Sequence, residues 1–132
     1  MIVTTTTDKT PRAQALCHCS DCRKISGGNY SNNIVVPVSN FSLVSGTPKE
    51  ISKTADSGKS ITSCFCQDCG TTLFRYGDAF GGVDGMRIIK AGVLDDVNVI
   101  NSIKPGAELF APERISWVQE IAGAGQVDTM PK

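Results

Sequence analysis

Apolar and polar positions alternate along this chain in short runs closed by turn residues, the period-two pattern of half-buried strands. Met1 to Thr7 is rich in β-branched residues and reads as a strand, followed by a turn at Asp8-Lys9-Thr10-Pro11. Ala13 to Leu16 leads into a cysteine-rich stretch. Ser20 to Ile25 predicts a short helix with Ser20 as N-cap and Gly27-Gly28 as its stop. Tyr30 to Val38 predicts a strand around Ile34-Val35-Val36. Phe41 to Ser45 alternates with Phe41 and Leu43 on one face, turns at Gly46-Thr47-Pro48, and takes Lys49 to Thr54 as hairpin partner. Asp56-Ser57-Gly58-Lys59 is a turn of the kind that joins two strands, and Ser60 to Phe65 then runs into a second cysteine-rich stretch. Thr71 to Tyr76 is strand-like, and Gly77 to Gly85 is a glycine-rich loop. Met86 to Leu94 is the strongest central strand, ended by Asp95-Asp96. One or two short edge strands are expected between Pro105 and Val118, and the small polar stretch from Gly123 reads as a frayed tail.

This pattern predicts a mainly β fold with short helices. A length of 132 residues suits one domain, placed at residues 1–122 with a flexible tail at 123–132. Thirteen glycines and six prolines, spread along the chain, fit many turns between short strands. Thirteen basic and thirteen acidic residues balance, so no global field draws the chain to nucleic acid. No apolar run approaches the ~18 residues of a membrane span. The threonine-rich start lacks the basic and apolar regions of a signal peptide, which predicts a reducing, cytoplasmic setting for the thiols.

The chemistry lies in the cysteines. Cys17, Cys19 and Cys22 form a Cys-x-Cys-x-x-Cys cluster around the single histidine, His18. The same spacing recurs as Cys64, Cys66 and Cys69, and the two clusters hold all six cysteines. Core packing does not ask for cysteine at such intervals, whereas zinc does, because it takes four ligands and favours thiolate. Six cysteines cannot fill two four-cysteine sites. Either one site is complete, or at least one is short of protein ligands, and a zinc with three protein ligands keeps a position open for water or substrate. Three other readings stay open: purely structural zinc, a three-bridge disulfide framework, and a redox Cys-x-x-Cys. On an extended backbone His18 points away from its neighbouring thiols, which suits a supporting or substrate-side role. Asp21, Arg23 and Lys24 are placed to meet an anionic ligand near the metal, or else are solvated surface charges.

Cys17-His18-Cys19-Ser20-Asp21-Cys22-Arg23-Lys24-Ile25-Ser26-Gly27 resembles the signature of the glutathione-dependent formaldehyde-activating enzyme family, also called the centromere protein V-like domain. Phe65-Cys66-Gln67-Asp68-Cys69-Gly70-Thr71 resembles its second Cys-x-x-Cys-Gly element. Lys90-Ala91-Gly92-Val93-Leu94-Asp95-Asp96 and Ile115-Ser116-Trp117 are similar to two later family segments. The resemblance runs from about Ala13 to Trp117 and is closest to fungal members. It implies a β-tent of small antiparallel sheets pinned by zinc. It further implies that Cys17, Cys19 and Cys22 hold a zinc with an open position, and that Cys66 and Cys69 belong to a structural site. The Cys-x-Cys element that completes that structural site in the family has no counterpart in Met1-Ile2-Val3-Thr4, and Cys64 is a candidate third ligand beside the pair.

The implied activity is addition of glutathione to formaldehyde, with the reverse counted as a carbon–sulfur lyase, or the same chemistry on another electrophile. Arg23, Lys24 and Arg75 are candidates for glutathione's carboxylates by charge alone. The rival expectations are a glutathione carrier, a zinc-shaped binding module without catalysis, and an inactive remnant. Self-association is left open.

Overall fold

A computed structural model describes residues 3–6 and 13–130 of the chain, with side chains for 13–130. The expected turn at 8–11 lies outside these residues. The fold is mainly β, and the chain forms two compact units, one of residues 1–12 and 35–89, the other of residues 13–34 and 90–132.

The first unit is antiparallel. Strand β1 (Val3–Thr6) pairs with β4 (Phe41–Ser45), with Thr4 opposite Leu43 and Thr6 opposite Phe41. The hairpin expected between β4 and the Lys49–Thr54 segment therefore does not form. That segment, β5 (Lys49–Thr54), pairs instead with β6 (Ser60–Phe65) through the predicted turn, where Gly58 has φ of 84° and donates to the Ala55 carbonyl at 2.9 Å. Two hydroxyls meet across this pair, Ser52 Oγ and Thr62 Oγ1 at 2.7 Å, a side-chain tie of the kind that holds register. Strand β7 (Thr72–Tyr76) continues the meander on β6 and pairs in turn with β8 (Met86–Lys90). Cys64, Phe74, Ile88 and Ile89 are the buried apolar side chains of this ladder, and the Phe41 and Phe74 rings pack with centroids 4.7 Å apart. β8 is shorter than the expected Met86–Leu94, because Ala91–Val93 coils into a 3-10 turn before the aspartates are reached.

The second unit carries the first cysteine cluster. Strand β2 (Ala13–Cys17) leads into helix α1 (Ser20–Ser26), which ends at Gly27 with φ of 68°, its N–H bonded to the Arg23 carbonyl. Strand β3 (Ser31–Pro37) follows, and its buried positions Ser31, Asn33 and Ile34 belong to this unit. Helix α2 (Val97–Ser102), capped by Asp96 through the Asn98 N–H, was not expected from the pattern. Strand β9 (Ala107–Leu109) lies parallel to β2, with Leu16 opposite Glu108 and Cys17 opposite Leu109. Strand β10 (Gly125–Val127), within the stretch read as a tail, runs parallel to β9 with Gln126 opposite Glu108. The wholly antiparallel arrangement expected is thus replaced here by parallel pairing. The long connections between β2, β9 and β10 make that direction possible, since parallel neighbours need a crossover of a dozen residues or more. No described helix is long and apolar enough to cross a membrane.

Candidate metal centre

β2 and α1 meet in two residues, and that short junction gathers the thiols. Cys17 is the last residue of β2, Cys19 is the N-cap of α1, and Cys22 sits in the first helical turn. The N-cap is one position earlier than expected. Cys19 takes the extended φ/ψ of a cap, and its Sγ accepts the Cys22 N–H at 3.3 Å, filling the capping role expected of Ser20. Sulfur is the larger and more polarisable acceptor, and its N–H bond fits a thiolate at this position.

All three Sγ atoms lie within 4.8 Å of one another. Thiolates about 2.3 Å from a zinc ion at tetrahedral angles sit about 3.8 Å apart, so this donor set fits that metal in number, spacing and chemistry. Cys17 and Cys22 are buried and Cys19 is half-buried, which leaves one side of the group towards solvent. Without a metal, the three thiols divide protons unequally. Hydrogen bonds from Cys17 and then Cys19 hold the Cys22 thiol far below its ordinary range, helped by the Ser31 hydroxyl and attraction to Lys90 and opposed by burial. Cys17 is pushed far up by its bonds with Cys19 and Cys22 and by burial. Cys19 is raised as well, so the charge of the metal-free cluster is concentrated on Cys22.

His18 turns the other way, as strand alternation requires. Its side chain is wholly buried, and its Nε2 lies 2.8 Å from Glu108 Oε1. The backbone N–H of His18 donates to the Leu109 carbonyl at 3.0 Å, extending the β2–β9 ladder past Cys17. Tyr30 meets the imidazole edge-on at 5.5 Å. The histidine therefore supports the junction, and the substrate-side role weighed from sequence does not apply. Glu108 is equally buried. Its Oε2 accepts from Gln126 Nε2 at 2.8 Å, from the Ile121 N–H at 2.9 Å and from Arg114 Nη2 at 3.2 Å. Burial works against its charge, but the bonds from Gln126, Ile121 and His18 and the attraction of Arg114 prevail and hold its carboxyl down at about 2. Phe110, directly after β9, adopts left-handed φ of 53° and packs against the cluster formed by Cys17, Cys22 and Leu109.

The other predicted residues are placed differently. Cys66 and Cys69 flank a tight turn in the first unit, closed by Gly70 N–H to the Cys66 carbonyl at 2.8 Å and by Cys66 N–H to the Thr71 carbonyl at 2.9 Å. Gly70 there has φ of 78°. Cys69 is exposed, and hydrogen bonding from the Thr71 hydroxyl at 3.1 Å lowers its thiol. Cys64 is wholly buried in β6, with its Sγ donating to Glu50 Oε1 at 3.7 Å, and burial followed by the Glu50 charge pushes it up to about 12. Among the described residues, the structure does not bring Cys64, Cys66 and Cys69 into one three-ligand group; Cys17, Cys19 and Cys22 form the one group that meets that description. Arg23 is half-buried with its Nε buried and unbonded, and Lys24 is exposed. Arg75 is buried and donates to Ser63 Oγ at 3.0 Å, so it is not a surface cation.

Residues 1–113 match the model of the family described as glutathione-dependent formaldehyde-activating enzyme. The chain belongs to that family. A search of curated proteins found no match. Within this formaldehyde-activating family framework the three-thiol cluster is the chemically distinctive site. The groups that sequence reasoning missed are Glu108, Lys90, Asn33 and Ser31. Glu108 carried the one legible hint, a lone carboxylate between Ala107 and Leu109 in a short apolar strand.

Proposed function

We propose that this chain is a zinc-dependent carbon–sulfur enzyme that joins glutathione to formaldehyde and, in reverse, releases them. The observation that carries the reading is a group of three convergent cysteine sulfurs whose intervening histidine is committed to Glu108 rather than to a fourth ligand position. Cys17, Cys19 and Cys22 would hold a zinc ion, which would supply the Lewis acidity to make a substrate thiol more acidic.

The chain's own residues supply the rest. Cys22, already favoured as thiolate, anchors the charge, and the buried His18–Glu108 pair fixes the β2–α1 junction so the three sulfurs stay convergent. Arg23, with its buried, unbonded Nε, and Lys24, exposed one residue on, support binding of glutathione's carboxylates on the outer face of α1. In the addition, the sulfur–carbon bond forms as the carbonyl π bond opens, and the thiol proton ends on the carbonyl oxygen. No oxidant or reductant is needed. Cys66 and Cys69, in their tight exposed turn, offer two thiolates for a structural metal, and a reducing cytoplasmic setting keeps the thiols available.

Metal analysis with calorimetry tests this reading. The purified chain is expected to carry zinc and to bind reduced glutathione, and both zinc at this site and glutathione binding should fall sharply in Cys19→Ser. A Cys19→Ser chain with full zinc and full glutathione binding overturns the proposal. Glutathione binding with no turnover of formaldehyde or of larger electrophiles would assign the site to glutathione carriage instead.

A further inference from the structure

Beyond the three sulfurs, a line of buried polar groups leads from Cys22 to a lysine. Ser31, only 2% exposed, hydrogen-bonds Cys22 through its hydroxyl. Asn33 Nδ2 donates to Ser31 Oγ at 2.9 Å and to the Ala15 carbonyl at 3.2 Å. Lys90, at the end of β8 and 9% exposed, donates from Nζ to Asn33 Oδ1 at 2.7 Å. The donors order the line without ambiguity. An ammonium can only donate, so Asn33 must turn its oxygen to Lys90 and its NH2 to Ser31. Ser31 Oγ is then an acceptor from Asn33, and its single hydrogen is left for the Cys22 sulfur.

Charge explains why such a line is worth building. Three thiolates around a dication leave one net negative charge, and a bound thiolate adds a second. Excess charge in a buried site is costly unless an opposite charge and hydrogen bonds compensate it. We propose that Lys90 is the positioning counter-charge of the three-cysteine site, held on station by Asn33 and coupled to Cys22 through Ser31. Lys90 touches neither substrate nor metal in this role. Asn33, which holds Lys90, also bonds the Ala15 carbonyl on the strand that ends at Cys17, so the lysine is tied to the site from a second side. The inference rests on the metal part of the proposed function and is independent of glutathione.

The test is zinc affinity in competition with a chromophoric chelator, measured without glutathione in a Cys66→Ser/Cys69→Ser background. Lys90→Met is expected to weaken zinc binding about 10–100-fold, the usual effect of losing a partner that supports metal ligands. Lys90→Arg, which keeps the charge, should recover most of that loss, whereas a merely space-filling role would favour Met over Arg. Asn33→Ala should give an intermediate loss. A folded Lys90→Met chain with wild-type zinc affinity overturns the proposal. If that variant fails to fold, wild-type affinity in Asn33→Ala does the same. A parent chain that takes up no zinc overturns the metal reading and this role together, a result distinct from loss in the variants alone.

Discussion

Glu108 ties the residue between Cys17 and Cys19 to three other segments of its unit. Its two oxygens take four hydrogen bonds from His18, Gln126, Ile121 and Arg114, all while shielded from water. A carboxylate so bonded resists protonation, and its folded-state value of about 2 lies below the ordinary 4.5. The linkage has a definite sign. A depressed folded value means the charged form stabilises the fold fully above the unfolded value, and that stability is lost as pH falls from about 4.5 towards about 2. Glu108→Gln should therefore destabilise the fold at pH 7 by about 1–3 kcal/mol, the usual cost of leaving buried partners of a charged group unsatisfied. In urea unfolding of both proteins, this difference should shrink as pH drops below 4.5. A difference constant from pH 7 to pH 3 would show that the charge of Glu108 is not what matters.

At the scale of elements, strand identity was largely legible because alternation is a local signal, and pairing was not because it is a long-range choice. The segments Ser31–Pro37, Phe41–Ser45, Lys49–Thr54, Ser60–Phe65 and Thr72–Tyr76 follow the predicted runs closely. β4 nevertheless took β1 rather than β5 as its partner, and β9 and β10 became parallel neighbours of β2 across long connections. The cysteine cluster was legible for the same reason that the strands were, since its three thiols lie within six residues. Glu108 was not, because 90 residues separate it from His18 and no spacing rule links them. The Lys90–Asn33 bond spans 57 residues and was invisible on the same grounds. Glycine in the Gly77 to Gly85 loop has a sharper meaning than the turn it signalled. Gly77 has φ of 136°, and an added Cβ would lie 2.7 Å from the Ser60 carbonyl oxygen. Gly77→Ala is expected to destabilise the fold by about 1–3 kcal/mol, the usual cost of a strained backbone position. Thermal unfolding that leaves Tm unchanged would contradict the clash.

Across the whole molecule the two cysteine clusters have unequal positions. Cys17, Cys19 and Cys22 converge at a strand–helix junction backed by buried polar groups, while Cys66 and Cys69 share an exposed turn and Cys64 is turned inward to Glu50. The repeated spacing does not carry over into a repeated arrangement: Cys64 is buried in β6 against Glu50, whereas Cys66 and Cys69 lie in the turn beyond the strand end. The proposed function requires a metal on the first cluster with a position open to a thiol. The most direct measurement is zinc-edge X-ray absorption on the Cys66→Ser/Cys69→Ser chain, before and after reduced glutathione is added. A zinc shell of three sulfurs and one lighter atom is expected, becoming four sulfurs with glutathione. A shell already complete with protein ligands, and unchanged by glutathione, would contradict the proposal.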